Sequence, residues 1–156
     1  MNVDARDGAA STAPVRSLPN GTVGGPTGTL HPVSASIVLL ATDADHVHHE
    51  VDAVMGGDHQ VVRVHAGADV LAAIREHDPV LVVLDLQIGN MGGMAACLDL
   101  RLEERAERIP PQRIVMLLDR DADEFLAKQA EADAWIVKPI DALLLRRTAR
   151  DVLADA

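Results

Sequence analysis

From Ile37 onward the chain alternates short, unbroken apolar runs with longer stretches whose apolar residues recur every three or four positions. The runs are Ile37-Val38-Leu39-Leu40-Ala41, Val80-Leu81-Val82-Val83-Leu84, Ile114-Val115-Met116-Leu117-Leu118 and Trp135-Ile136-Val137. A run without polar alternation reads as a strand buried on both faces, as in a parallel sheet covered by helices. The spacing predicts strands at Ser36–Ala41, Val61–His65, Val80–Leu84, Ile114–Leu118 and Ala134–Val137. It predicts helices from a cap at Asp43 or Asp45 to Met55, then over Ala68–His77, Met94–Arg105, Asp123–Ala130 and Asp141–Leu153. Val70, Leu71 and Ile74 form one stripe on the second helix, and Leu143, Leu144, Thr148 and Val152 serve the fifth. Strands alternating with helices imply βα units and a doubly wound parallel sheet with helices on both faces, in the order 2-1-3-4-5.

Residues 1–35 break the pattern. They are rich in Ala, Gly, Pro, Ser and Thr and hold few large apolar groups, so they are expected to form a disordered tail. The globular domain is expected over 36–153, with 154–156 as its end. The net charge of −10 falls wholly in the domain, because Asp4, Arg6, Asp7 and Arg16 cancel within the tail. Such a charge opposes binding to nucleic acid or an anionic membrane. Cys97 is the one cysteine, which excludes an internal disulfide and suits a reducing cytoplasm. No apolar run approaches the roughly 20 residues of a membrane span.

Three of the apolar runs end in a charged residue: Asp43 after the first, Asp85 after the central one and Lys138 after the last. In parallel sheets, ligands gather at the carboxyl ends of the strands. Two acids and a lysine there suit a divalent metal and an anion.

This arrangement resembles the receiver domain of two-component response regulators. The resemblance rests on Val38-Leu39-Leu40-Ala41-Thr42-Asp43, Leu81-Val82-Val83-Leu84-Asp85-Leu86, Arg113–Leu118 and Ala132-Asp133-Ala134-Trp135-Ile136-Val137-Lys138-Pro139-Ile140, in order. It implies a flavodoxin-like fold, Asp85 as phosphoacceptor and Lys138 as its cationic partner. It also implies Mg²⁺ held by Asp43, Asp85 and the backbone carbonyl of Gln87, and a cis peptide before Pro139. A histidine kinase or phosphotransfer protein would be the donor and another protein the target. The only catalysis implied is phosphoryl transfer to the chain's own carboxylate and loss from it.

The chain departs from the family pattern in four places, one of them a shortened loop before the fourth helix. Thr42 stands where receivers carry a second acid, so it would reach the metal only weakly, through water. Leu118 stands at the switch position where a Thr or Ser hydroxyl normally bonds the phosphoryl group. Gly89 stands where proline is usual after the acceptor strand. Trp135 matches the aromatic switch position. These departures keep open a pseudo-receiver, a binding module that does not respond to phosphate. A small phosphatase of the haloacid dehalogenase class is a distant third, resting on Asp43-Ala44-Asp45.

Other charged groups read as solvated surface: His46, His48, His49 and Glu50 on the first helix, Asp119, Asp121, Asp123 and Glu124 near the fourth, and Arg146, Arg147 and Arg150 on the fifth. The last two groups could also meet across a two-fold axis in a homodimer through helix 4, strand 5 and helix 5.

Overall fold

A computed structural model describes residues 34–155. The reading of 1–35 as a tail therefore lies almost wholly outside the described residues. Five strands, β1 (Ile37–Ala41), β2 (Gln60–Val64), β3 (Leu81–Asp85), β4 (Ile114–Leu118) and β5 (Ala134–Val137), form one parallel sheet in the order β2-β1-β3-β4-β5. Helices α1 (Asp45–Met55), α2 (Val70–His77), α3 (Gly93–Arg105), α4 (Glu124–Gln129) and α5 (Ala142–Ala154) follow the strands in turn. This is the flavodoxin-like architecture.

The sheet divides the core in two, because successive side chains of a strand point to opposite faces. Leu39, Val82, Leu84, Ile114, Met116 and Leu118 face α2, α3 and α4, meeting Val70, Ile74, Cys97, Leu100 and Ala127. Val38, Leu40, Val83, Val115 and Leu117 face α1 and α5, meeting Val47, Val51, Met55, Leu145 and Ala149. Every residue of β3 and β4 is buried, which explains their lack of polar alternation. The edge strands β2 and β5 are only partly covered.

Three local expectations need correction. Neither Asp43 nor Asp45 caps α1. Ala44 is the cap residue, and Asp45 opens the helix. Thr42 accepts the Ala44 N–H at 3.1 Å, while Asp43 is drawn across to Gly89. On α5, Leu143 and Leu144 point outward, at 73% and 45% exposure. The buried stripe is Leu145, Ala149 and Val152, whose spacing of four and three keeps them on one side of the helix. Asp141 does cap α5, its carboxylate accepting the Leu144 N–H at 2.9 Å. The second and fourth helices start later than expected, because a 3₁₀ turn, Gly67–Asp69 or Asp121–Asp123, comes first.

One buried residue stood out in no sequence pattern. Arg101 of α3 is 9% exposed. Its guanidinium donates to both Glu104 carboxylate oxygens, to the Gln112 and Glu131 carbonyls and to Asp133. Asp133 in turn accepts the Ile114 N–H at 2.7 Å. One side chain thus ties α3 to the entries of β4 and β5. Burial alone would lower the affinity of Arg101 for its proton, but Glu104 and Asp133 outweigh it and raise the pKa above the ordinary arginine value.

Candidate functional site

β3 ends in Asp85, which is 1% exposed, so its carboxylate must find partners within the protein. It finds three. Lys138 Nζ donates to Oδ1 at 2.7 Å, the Gln87 N–H donates to Oδ1 at 3.1 Å, and the Thr42 hydroxyl donates to Oδ2 at 2.8 Å. Parallel order brings them together: Thr42 leaves β1 and Lys138 leaves β5 at the same end of the sheet.

Thr42 is fully buried and its oxygen is used twice, donating to Asp85 and accepting from Ala44. Here the hydroxyl engages Asp85 itself. Asp43 is exposed at the rim, and its Oδ2 accepts the Gly89 N–H at 3.1 Å. Asp45 turns away to Arg63, at 2.8 Å, so Asp43 and Asp45 do not form the acid pair of a phosphatase. Arg63 holds Asp45 below the usual carboxylate range.

Lys138 has a second acid. Asp119 Oδ1 lies 3.3 Å from its Nζ. Burial works against the ammonium, yet the hydrogen bond and charge of Asp85, joined by Asp119, raise its pKa above the ordinary lysine value. The sequence reads Asp119 as solvated surface, one of an acidic group with Asp121, Asp123 and Glu124. The strand register carries the missing signal. Leu118 pairs with Val137, so the next residues, Asp119 and Lys138, emerge side by side. Asp123 is not solvated either. It is 3% exposed and accepts the Arg120 N–H at 3.0 Å, closing the turn into α4.

The loop after β3 is held by close packing. An added Cβ on Gly93 would lie 2.5 Å from the Asp85 carbonyl oxygen, and one on Gly67 only 1.7 Å from that of Met91. Gly67 and Ala68 donate their N–H groups to the Gly89 and Asn90 carbonyls. Only a residue without a side chain fits at either glycine. The Lys138–Pro139 peptide is cis.

Of the switch positions, Leu118 borders this polar cluster through its backbone, its carbonyl accepting the Lys138 N–H at 2.7 Å. Leu118 is fully buried and packs with Met116 and Ile114 against the α2–α4 side. Trp135 is half-buried on β5, with Lys128 Nζ 5.6 Å from its ring. Among the described residues no group of three or more His, Cys, Asp or Glu side chains is placed to hold a metal, so the α1 histidines form no such cluster. No helix among them is long and apolar enough to cross a membrane.

The chain is similar to known proteins in sequence and in fold. Over 105 residues the chain is 27% identical to the polar-differentiation response regulator DivK of Brucella ovis, covering 67% of this chain and 85% of that one. The beryllofluoride-activated N-terminal receiver domain of Klebsiella pneumoniae RstA superposes with a TM-score of 0.67 at 27% identity, over 76% of this chain and 98% of that one. The receiver domain of a Pseudomonas aeruginosa sensor histidine kinase, solved with magnesium in its active-site cleft, shares the fold with a TM-score of 0.67 at 18% identity, over 77% and 98%. The family model described as the response regulator receiver domain matches residues 38–150, which span β1 to α5 and take in Asp43, Asp85 and Lys138. With a buried strand-end aspartate, its lysine and its sheet order all in register with that match, the chain belongs to the receiver-domain family of two-component response regulators.

Proposed function

We propose that this chain accepts a phosphoryl group on Asp85 from the phosphohistidine of a histidine kinase or phosphotransfer protein, in the cytoplasm, and signals by changing its protein contacts. The observation that carries this reading is the Asp85–Lys138 pair, 2.7 Å long, at the carboxyl end of the central strand. In the transfer an Asp85 oxygen bonds to phosphorus as the donor's nitrogen–phosphorus bond breaks. The imidazole nitrogen keeps the electron pair. The transition state is loose, so the protein's contribution is position and charge. Lys138 supplies the charge, and the Gln87 N–H and Thr42 hydroxyl fix the carboxylate.

The donor set suits Mg²⁺, which favours hard oxygen ligands, keeps several waters and needs few protein groups. Asp43, Asp85 and the Gln87 carbonyl would hold it, and it would neutralise charge on the transferred group. A receiver of the same fold holds magnesium in its active-site cleft, which supports the choice of metal.

An acidic domain of net charge −10 is repelled by polyanions, which favours a protein as target. Phe125 and Leu143, 65% and 73% exposed, lie on α4 and α5 and would serve either that target or a second copy of the chain. The buried Leu118 favours one second reading, a module that binds without switching.

The test is intact-mass analysis after incubation with acetyl phosphate and Mg²⁺. The parent gains one phosphoryl group and Asp85→Asn gains none. Equal labelling of the two proteins overturns the assignment.

A further inference from the structure

Lys138 serves two carboxylates at once. Its Nζ lies 2.7 Å from Asp85 Oδ1 and 3.3 Å from Asp119 Oδ1, so both acids lie within reach of one cation. Among the described residues Asp119 pairs with no other cation, since the neighbouring Arg120 is taken by Asp123. The Asp119 side chain is 34% exposed, against 2% for Asp85, which places it at the mouth of the site rather than its floor. It meets the site through the lysine.

We propose that Asp119 is a positioning residue that competes with the phosphoryl group for Lys138 and so limits how much phosphate Asp85 carries. The inference rests on Asp85 being the acceptor. An ammonium has three donors and a single charge. In the unmodified chain that charge is shared by two monoanions. A phosphoryl group on Asp85 brings close to two negative charges at neutral pH. Lys138 must then bond a phosphoryl oxygen while Asp119 remains beside it, and the like charges repel. A ligand shifts an equilibrium only by its differential contacts, and here one such contact is unfavourable. The residue that follows β4 thus sets the occupancy of the residue that ends β3.

The experiment uses the full chain with Mg²⁺. Acetyl phosphate labelling is read by intact mass; the donor's phosphorus–oxygen bond breaks, the Asp85 oxygen–phosphorus bond forms, and acetate leaves with the electron pair. Beryllofluoride affinity is read by fluorine NMR at low and high salt. Asp119→Asn keeps the size and removes the charge; Asp119→Glu keeps the charge. The Asn variant should gain about tenfold in both readouts, the worth of one nearby charge in a partly solvated site. The gain should shrink with salt, and the Glu variant should follow the parent. A merely structural role would not give this pattern of charge and salt. If parent and Asn variant label equally, or the Asn variant labels less, the role of Asp119 is overturned while Asp85 stands. If neither labels nor binds beryllofluoride, the acceptor assignment falls and this inference with it. Labelling of the Asn variant alone supports both.

Discussion

The Thr42 hydroxyl donates to Asp85 Oδ2 across 2.8 Å, and both side chains are buried. Thr42 therefore does two things that a second acid could not. It offers a donor to the acceptor carboxylate, and it adds no negative charge beside it. Thr42→Asp should reverse both effects. Without metal, two carboxylates in contact should lower stability by about 1–3 kcal/mol. With Mg²⁺ the added charge becomes favourable. The melting temperature of the variant should therefore rise with Mg²⁺ far more than that of the parent. An equal rise in both proteins would show that position 42 does not face the metal.

Leu118→Thr should destabilise the chain by about 2–4 kcal/mol, since it removes packed carbon and buries a hydroxyl. It should also introduce a donor on β4. Amide exchange with and without beryllofluoride checks this. Little change is expected around α4 in the parent, with a measurable one in the variant. A strong response in the parent would mean that this receiver switches without a β4 hydroxyl.

Arg101→Met should cost about 3–5 kcal/mol, because it strands Glu104, Asp133 and two carbonyls that the guanidinium satisfies. Arg101→Lys should recover little of this, as an ammonium cannot span so many acceptors. Urea unfolding gives both values. A Lys variant as stable as the parent would make charge, rather than the fork of donors, the operative feature.

Burial pushes the Cys97 thiol up from 9.0 to about 11; the nearby Arg101 pulls it down and the surrounding acids push it up further. The folded state thus holds this proton longer than the unfolded state does. The contribution is fully present below about pH 9 and is lost as pH rises toward 11. The stability difference between the parent and Cys97→Ala should be flat from pH 6 to about pH 8.5. It should shrink by on the order of 2 kcal/mol by pH 11. A constant difference across that range would place the thiol in contact with solvent.

Where the hydrophobic pattern alone sets an element, the sequence showed it well. β4 starts and stops where its apolar run does, because both ends are decided by burial. Asp85 was legible for the same reason. Where the outcome depends on rotation or on distant partners, the pattern was silent. Leu144 and Leu145 differ by one position, yet one is half-exposed and the other buried, since each helical step turns about 100°. Asp119 looked like its acidic neighbours until strand register set it beside Lys138. Arg101 looked like any helical arginine, because its partners Glu131 and Asp133 lie 30 and 32 residues away in sequence.

The interlock of Gly67 with Met91 gives the top of the sheet an unequal mechanics. The turn leaving β2 and the loop leaving β3 share two backbone hydrogen bonds and a contact too tight for a methyl group, so they move as one piece or not at all. On the other side of Asp85, the segment leaving β4 leads into a helix of six residues with a single buried side chain, Ala127. Force delivered at Asp85 meets a bolted wall toward α2 and a light door toward α4. Whatever motion Leu118→Thr restores should therefore be confined to the side of the door.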